Sequence, residues 1–382
     1  IREVQLNEDQ LEMVEKLHDF LESDRRFFRA DGAAGTGKST TIAFWAAEVV
    51  KNGYEIALAA PTNKATKNLR SFARKISSTV NIRCGTIFSL LGLILKPSGE
   101  VRELHSSETD RLSGVDIVVV DEWSMVNDML MSFIKAHVNT NPKIKFVFMG
   151  DPYQLPPVGQ LESAVCKLPR DAFLTKVERH DNQILSLATY LRGCIEDDTL
   201  PHFYGDHDEE GGVFVLRSSD YYRQMRKAFA STAYLEDGEA FKSISWRNVM
   251  VDDSNETIRE AMYGDKPGVP FELGERIVAK APVMDVPEFA AGGVESFCMT
   301  TDEEARVIAT TMRSHPIFQD IECYDILLEL EDGAPATAYM PTKKGKAAYQ
   351  RMEVDLAAKA KARSREWATF WQFKGCFADL AP

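Results

Sequence analysis

The chain has 382 residues, of which 44% are hydrophobic, and a formal net charge of −13. It is long enough to bury two or three cores, and no apolar run approaches the length needed to span a membrane, which excludes a membrane-spanning class. Its six cysteines form no C-x-x-C pair, which argues against a zinc site or a disulfide framework. Without a signal-peptide pattern, we expect a soluble protein of a reducing cytoplasm.

Residues 32–39, Gly-Ala-Ala-Gly-Thr-Gly-Lys-Ser, match G-x-x-x-x-G-K-[ST] in full. They lie between a strand-like run at 26–30 and a segment from Thr40 with apolar residues at helical spacing. In such a loop, backbone N–H groups surround phosphates, the lysine reaches the β and γ oxygens, and the serine hydroxyl ligates Mg²⁺. A plain Gly-rich turn is the alternative. The pattern predicts a nucleoside triphosphate site formed by Gly32, Gly35, Thr36, Gly37, Lys38, Ser39 and Thr40.

Residues 115–122, Val-Asp-Ile-Val-Val-Val-Asp-Glu, are typical of a buried parallel strand that ends in two carboxylates. Parallel α/β sheets bind ligands at the carboxyl ends of their strands. We therefore expect Asp121 to hold Mg²⁺ through water and Glu122 to polarise the attacking water. The alternative is that the acidic pair caps the next helix.

A third strand is predicted at 144–149, followed by Gly150-Asp-Pro-Tyr-Gln-Leu-Pro-Pro157. Gln154 both donates and accepts hydrogen bonds, so it is suited to connect a γ-phosphate, or its attacking water, to another bound group. Taken alone, the segment favours a turn with a surface glutamine, but its place after the other two motifs favours the bridging role.

Together these motifs resemble superfamily 1 helicases of the RecD-like branch, and in particular its Dda-like phage members. Further segments match the Q motif and motifs Ia, Ib, II, III and IV of that family, in chain order: Leu6–Gln10, Ala60–Ala65, Thr86–Gly92, Asp121–Met125, Gly150–Pro157 and Leu174–Arg179.

The resemblance implies ATP and Mg²⁺ as cofactors, translocation on single-stranded DNA in the 5′ to 3′ direction, and separation of duplexes. It implies that Gln10 binds the adenine edge, that Arg179 approaches the γ-phosphate, and that Asp121 and Ser39 hold the metal. The implied DNA contacts are Pro61, Thr62, Asn63, Lys64, Thr86, Phe88, Pro97 and Asn248.

The fold implied is α/β, with two RecA-like P-loop NTPase domains whose parallel sheets are flanked by helices. The first domain is expected at 1–195 and contains a hairpin insertion at 87–112, which the resemblance makes the duplex-splitting pin; an ordinary hairpin is the alternative. The second domain is expected to begin at 196–293, with an opening strand and helix at 243–259 and a strand at 274–280. Residues 294–382 are expected to form an SH3-like insertion with a helical extension.

Two positions depart from the family pattern. Phe88 replaces a histidine of motif Ib, and it is interpreted either as a base-stacking residue or as a core residue. Trp123 replaces the more usual valine of motif II, and we expect it to alter packing behind the carboxylates without changing their chemistry. The cluster Trp367-Ala-Thr-Phe-Trp371 favours packing of the extension over base stacking.

The net negative charge argues against a nucleic-acid partner, but its distribution weakens that objection. Residues 343–365 hold eight Lys or Arg against two acidic residues, a balance of +6. A solvated helix face is the alternative interpretation of this segment.

Two later family segments, Thr-x-His-x-x-Gln-Gly and Tyr-Val-x-x-Thr-Arg, do not occur in this sequence, so we expect the native chain to continue past Pro382.

The implied partners are single-stranded DNA and a duplex fork, with single-strand-binding or replication proteins as further candidates and no membrane. Function as a monomer in the cytoplasm, or in the host cytoplasm for a phage protein, is expected. The alternative function is a nucleic-acid-stimulated ATPase that acts as a switch or remodelling factor without unwinding.

Overall fold

The structure is a computed structural model, and it describes residues 6–63, 65–66, 69, 73, 82–95, 101–103, 111–176, 183–202, 205–207, 209, 211–264, 269–287, 296–363 and 366–382. The chain divides into two compact units, residues 1–215 and 216–382, which are described separately below. The division falls later in the chain than the domain boundary expected at residue 195.

The first unit alternates strands and helices. Its elements are α1 (Glu8–Glu22), β1 (Phe27–Gly32), α2 (Lys38–Lys51), β2 (Ile56–Ala60), β3 (Arg83–Thr86), α3 (Ile87–Leu90), β4 (Leu93–Leu95), β5 (Val101–Glu103), β6 (Ile117–Asp121), a 3-10 turn (Trp123–Met125), α4 (Asp128–Thr140), β7 (Lys145–Gly150), a 3-10 turn (Ala164–Lys167), β8 (Ala172–Leu174), α5 (Gln183–Glu196), β9 (Asp206–His207) and β10 (Gly212–Val213).

Six of these strands form one sheet in the order β3-β2-β6-β7-β1-β8, and every pairing in it is parallel. The α/β class and the parallel sheet predicted for the first domain are therefore confirmed. Because parallel strands need long crossovers, the helices between them cover the two faces of the sheet.

Alternate residues of each central strand are buried on opposite faces of this sheet. Leu58, Val119 and Val147 belong to the cluster packed by α1 and α2. Their neighbours Ala57, Val118 and Phe146 belong to the cluster packed by α3 and α4. Burial on both faces explains why the strand sequences are continuous apolar runs without polar alternation.

The strands β4 and β5 pair antiparallel, with Ile94 opposite Arg102. This matches the two strand-like runs expected in the hairpin at 87–112. The turn between them, which includes Pro97, lies outside the described residues.

The second unit contains α6 (Ser218–Phe229), α7 (Thr232–Glu236), α8 (Asn248–Tyr263), β11 (Arg276–Ala279), β12 (Val283–Met284), β13 (Phe297–Met299), β14 (Glu304–Ser314), β15 (Glu322–Leu330), β16 (Pro335–Pro341), α9 (Lys346–Ala362), α10 (Trp367–Gly375) and β17 (Leu380–Ala381). Its main sheet has the order β16-β15-β14-β11-β17, and all of its pairings are antiparallel.

The parallel sheet expected to begin in this unit is not found among its described residues. The expected strand at 274–280 does form, as β11, but it pairs antiparallel with β14 and β17. The short connections between β14, β15 and β16 make hairpins, whereas parallel neighbours require crossovers of a dozen or more residues. Residues 294–382, where an SH3-like insertion with a helical extension is expected, contain β13 to β17, α9 and α10. The SH3-like assignment stays a prediction.

The opening strand expected from Ser243 is also not formed. The helix that was expected to follow it is present as α8, but Ile244 and Trp246 are each 90% exposed. No strand of the second unit's described part pairs with this segment, so a strand there would leave its backbone hydrogen bonds unmade.

Within the described ranges, no helix combines the length and apolar character required to cross a membrane.

Candidate nucleotide-binding site

Three neighbouring strands bring the predicted site residues to one edge of the parallel sheet. β1 ends at Gly32, β6 ends at Asp121 and β7 ends at Gly150. In the register of these pairs, Asp31 lies opposite Gly150 and Asp121 lies opposite Met149. The phosphate-binding loop, the acidic pair and the 150–157 segment therefore all begin at the same edge.

The loop between β1 and α2 has the left-handed turns that its glycines permit. Gly35 has φ 84° and Gly37 has φ 81°, and Gly37 caps the N-terminus of α2. A Cβ atom on Gly37 would lie 2.3 Å from Gln10 Nε2. Gly37 is therefore required both by its backbone conformation and by the close approach of Gln10.

Gly32 begins the loop, and there too a side chain would not fit. A Cβ atom on Gly32 would lie 2.8 Å from Thr36 Oγ1. That hydroxyl donates to Ala33 O at 2.9 Å, which fastens one end of the loop to the other. Ser39 and Thr40 lie exposed in the first turn of α2, where the helix N–H groups and dipole favour an anion.

Gln10 connects α1 to this loop. Its Nε2 donates to Thr36 O at 3.1 Å, while its Oε1 accepts from Asn7 N at 3.1 Å. Asn7 Oδ1 accepts from Gln10 N in return, which completes a capping box at the start of α1. Gln10 is only 5% exposed, and the contact the structure gives it is with the loop backbone. The adenine contact implied for it stays a prediction.

Lys38 lies back against the loop that it follows. Its Nζ donates to Gly32 O at 2.7 Å and to Ala33 O at 2.8 Å. Burial lowers the pKa of Lys38, and the nearby carboxylates of Asp151 and Asp121 oppose that shift. The ammonium group therefore lies among acidic groups but bonds directly to neutral carbonyl oxygens, which are weaker partners than a phosphate oxygen.

Burial raises the pKa of Asp121 to about 6, and the neighbouring Glu122 charge adds to the shift. Glu122 N donates to Asp121 Oδ1 at 2.9 Å, and the charge of Lys38 also favours the ionised form. A carboxylate in this environment gains from a nearby cation. Glu122 itself has φ 54°, an uncommon conformation for a residue other than glycine and one that clusters at functional sites.

The helix-capping interpretation of this acidic pair is not supported. Glu122 makes no side-chain hydrogen bond to the 3-10 turn that it precedes. The next helix, α4, is capped by Asn127, whose Oδ1 accepts from Leu130 N at 2.8 Å. The carboxylates of Asp121 and Glu122 are therefore not used for helix capping.

Trp123 packs behind the carboxylates, as expected. Its side chain is fully buried, and its Nε1 donates to Ala30 O of β1 at 3.3 Å. The Arg29 guanidinium lies 4.7 Å from the Trp123 ring centroid and also forms a two-bond pair with the buried Asp31. A Cβ atom on Gly150 would lie 2.9 Å from both the ring atom Cδ1 and the backbone N of Trp123, so Trp123 requires a glycine at the end of β7.

The ion pair between Asp151 and Arg192 was not predicted from the sequence. Asp151 is 1% exposed, and Arg192 of α5 donates to both of its carboxylate oxygens. Asp151 Oδ1 also accepts from Tyr153 N at 3.0 Å, and the Arg192 guanidinium lies 5.2 Å from the Tyr153 ring centroid. Two residues 41 positions apart carry no local signal of their pairing.

Gln154 lies in the turn that Asp151 anchors. Its backbone N donates to Asp151 O at 3.2 Å, and its side chain is exposed. Gln154 borders a cavity of about 210 Å³ that Trp123, Tyr153 and Cys166 also line. The bridging role assigned to Gln154 stays a prediction.

A second contact that the sequence did not predict joins α1 to the end of β8, in the segment that precedes Arg179. Asp9 of α1 accepts hydrogen bonds from Thr175 N at 2.9 Å and from Thr175 Oγ1 at 2.6 Å. These bonds lower the pKa of Asp9. Arg179 itself lies outside the described residues, as do Lys64 and Pro97.

The described DNA-contact candidates are distributed over both units. Pro61, Thr62 and Asn63 directly follow β2 at the same sheet edge. Thr86 Oγ1 accepts from Ser89 N and caps α3, while Phe88 is half-buried and packs against the core cluster on that face. Phe88 therefore fits the core interpretation. Asn248 is exposed at the first residue of α8 in the second unit.

Comparison with known proteins identifies the family. Residues 5–204 match the family described as an AAA domain. The chain belongs to this family. Its AAA domain covers the six parallel strands, the phosphate-binding loop, Asp121, Glu122 and Asp151.

Three other proteins are similar to parts of this chain. An uncharacterized protein, R530, of Acanthamoeba polyphaga mimivirus is 34% identical over 39% of this chain and 33% of its own length. The ATP-dependent RecD2 DNA helicase of Deinococcus radiodurans is 34% identical over 40% of this chain and 18% of its own length. The ATP-dependent DNA helicase dda of Enterobacteria phage T4 is 26% identical over 73% of this chain and 62% of its own length.

The resemblance to RecD-like and Dda-like superfamily 1 helicases is confirmed by these relatives. The chain spans about a third or less of the length of the first relatives that it matches.

Proposed function

We propose that this AAA domain protein is an ATP-dependent DNA helicase that moves 5′ to 3′ on single-stranded DNA. The observation that carries the proposal is the convergence of Lys38, Asp121 and Asp151 at one sheet edge, next to a phosphate-binding loop. The RecD2 and dda relatives are named as ATP-dependent DNA helicases. These names support DNA as the partner and unwinding as the activity.

The residues present fit Mg²⁺ and ATP. Asp121 is a carboxylate whose pKa burial raises, so a divalent cation would stabilise its ionised form. The Ser39 hydroxyl at the start of α2 is the direct protein ligand that such a site uses. Mg²⁺ keeps most of its ligands as waters and phosphate oxygens, so this hydroxyl and a contact with Asp121 through water would be sufficient.

In this proposal each residue has a separate task. Bound MgATP supplies the phosphoryl group whose transfer to water releases free energy. Lys38 leaves its carbonyl partners to neutralise β and γ oxygens, and Glu122 accepts a proton from the attacking water. Gln154, carried by the turn that Asp151 and Arg192 anchor, relates the state of the γ-phosphate to bound DNA.

Roles in DNA binding are also assigned to parts of the first unit. The hairpin of β4 and β5 would be the pin at the fork, and the segments at 60–65 and 86–88 would line the single strand. We further propose that the protein acts as a monomer in the cytoplasm. The family resemblance supports these roles of the hairpin and of the two segments.

The proposal is tested by measuring ATP hydrolysis with and without single-stranded oligonucleotide, and then unwinding of duplexes that carry a 5′ or a 3′ tail. We expect DNA to stimulate hydrolysis and unwinding to require the 5′ tail. Stimulation without unwinding would favour a switch or remodelling ATPase, and no stimulation would exclude a DNA motor. Unwinding from the 3′ tail alone would reverse the direction.

A further inference from the structure

The helix α9 of the second unit has two chemically different faces. Tyr349, Met352 and Leu356 pack against the cluster that contains Phe373 and Phe377. At 100° per residue these three positions lie within one sector of the helix. The side of α9 that faces away from this cluster is therefore available to solvent.

That opposite face is basic. Lys346, Arg351 and Lys361 are exposed, and they fall within a sector of about 140° that is separate from the packed side. None of the three has an ion-pair partner within the described part of the chain. They share this face with Gln350, Val354 and alanines, and no acidic residue lies between them.

The acidic residues of α9 are already paired elsewhere. Glu353 accepts from Lys374 of α10 at 2.6 Å, and Asp355 accepts from Lys359 at 2.7 Å. In a chain with net charge −13, such an acid-free cationic face is a local exception.

We infer that the exposed basic face of α9, defined by Lys346, Arg351 and Lys361, binds the phosphate backbone of duplex DNA. From Lys346 to Lys361 the helix rises about 22 Å, a length that spans about six phosphates of one duplex strand. The face carries no aromatic side chain, and base stacking is what single-strand sites add to backbone charge. Its chemistry thus fits a duplex, whose bases are already stacked.

This inference rests on the proposed DNA helicase function, and it adds a contact to duplex DNA to the single-strand contacts proposed above. The test compares the wild-type chain with the triple variant Lys346→Gln, Arg351→Gln, Lys361→Gln. The matched control is Arg223→Gln, Lys227→Gln, Lys242→Gln, which removes the same residue types from exposed positions outside α9. Binding to blunt duplex and to oligo-dT is measured by fluorescence anisotropy between 50 and 200 mM salt.

For the α9 variant we expect about a tenfold or greater loss of duplex affinity, and a decrease of about 2 to 3 in the slope of log affinity against log salt. Oligo-dT affinity and DNA-independent ATP hydrolysis should stay unchanged, and the control variant should retain most of its duplex affinity.

Equal duplex affinity in the α9 variant and the wild type would overturn the inference, as would equal losses for duplex and oligo-dT. An equal loss in the control variant would show a general charge effect and would also overturn it. A wild-type chain that binds no DNA at all would instead remove the proposed function, so the two failures are distinguishable.

Discussion

Arg192 of α5 donates to both carboxylate oxygens of Asp151, the residue that follows the last residue of β7. Asp151 is 1% exposed, and the Arg192 side chain is 26% exposed. The pair holds the turn that carries Tyr153 and Gln154 against the sheet edge of the candidate nucleotide-binding site. A helix late in the first unit thereby fixes the loop that carries Gln154.

We expect Arg192→Met to destabilise the protein, because it leaves a buried carboxylate without its partner. Loss of one partner from a buried pair costs about 3–5 kcal/mol, and partial exposure of Arg192 points to the lower end of that range. Urea unfolding at pH 7 measures the change. Lys167→Gln, which breaks the exposed pair with Asp128, is the control and should change stability little. Equal effects of the two substitutions would contradict the anchoring role.

We expect Gly37→Ala to weaken nucleotide binding by two separable effects. Alanine at φ 81° costs about 1–2 kcal/mol, and its Cβ would also meet Gln10 Nε2 at 2.3 Å. Adding Gln10→Ala removes the second effect together with the adenine contact implied for Gln10, so Gly37→Ala should cost less ATP affinity in the Gln10→Ala background than in the wild type. Titration of the wild type, both single variants and the double variant with a fluorescent ATP analogue measures the two losses. If Gly37→Ala cost the same affinity in both backgrounds, the contact with Gln10 would be irrelevant.

The sheet edge that carries the candidate site was largely predictable from the sequence, because its signals are local. A glycine-rich loop needs particular residues at fixed spacing, and strands buried on both faces are continuous apolar runs. Gly37, Asp121 and Glu122 were accordingly found at the positions expected. Asp151 was recognised as part of a motif, but its partner Arg192 was not, because pairing between residues on distant elements depends on the fold.

The second unit was less predictable for a related reason. The apolar pattern at 274–280 specifies a strand but not the direction of its neighbours, and β11 pairs antiparallel where a parallel sheet was expected. The pattern at 243–247 also suggested a strand, yet Trp246 remains exposed without a neighbouring strand to pair with. Strand pairing is a tertiary property that alternation alone does not determine.

We expect Lys38→Ala and Glu122→Gln to separate binding from turnover. In the proposed function Lys38 neutralises the β and γ oxygens, so its loss should weaken ATP affinity and abolish hydrolysis. Glu122→Gln retains shape and hydrogen bonding but accepts no proton, so it should bind ATP and lose about 10²–10⁴-fold in turnover. Equilibrium binding and steady-state hydrolysis are measured on the same preparations. Equal losses of affinity in both variants would contradict the separate roles.

His315 of the second unit gives a prediction about pH. The ring is fully buried against Phe318, Tyr339 and Phe377, and its Nδ1 accepts from Ile317 N and Phe318 N at 3.2 Å. Burial lowers the pKa of His315 to about 4 from 6.5, and the hydrogen bond with Cys376 O opposes that shift. The nearby Arg313 charge lowers the pKa further.

Between pH 6.5 and pH 4 the folded state therefore binds fewer protons at His315 than the unfolded chain does. Above pH 6.5, His315 should not change the free energy of unfolding. As the pH is lowered from 6.5 to 4, the free energy of unfolding should fall by a total on the order of 3 kcal/mol. Urea unfolding from pH 7.5 to 4.5 measures the slope. His315→Gln should flatten it, whatever its stability at pH 7.5, whereas substitution of the exposed His202 by Gln should leave it unchanged. A slope that persists in His315→Gln would assign the acid sensitivity to other groups.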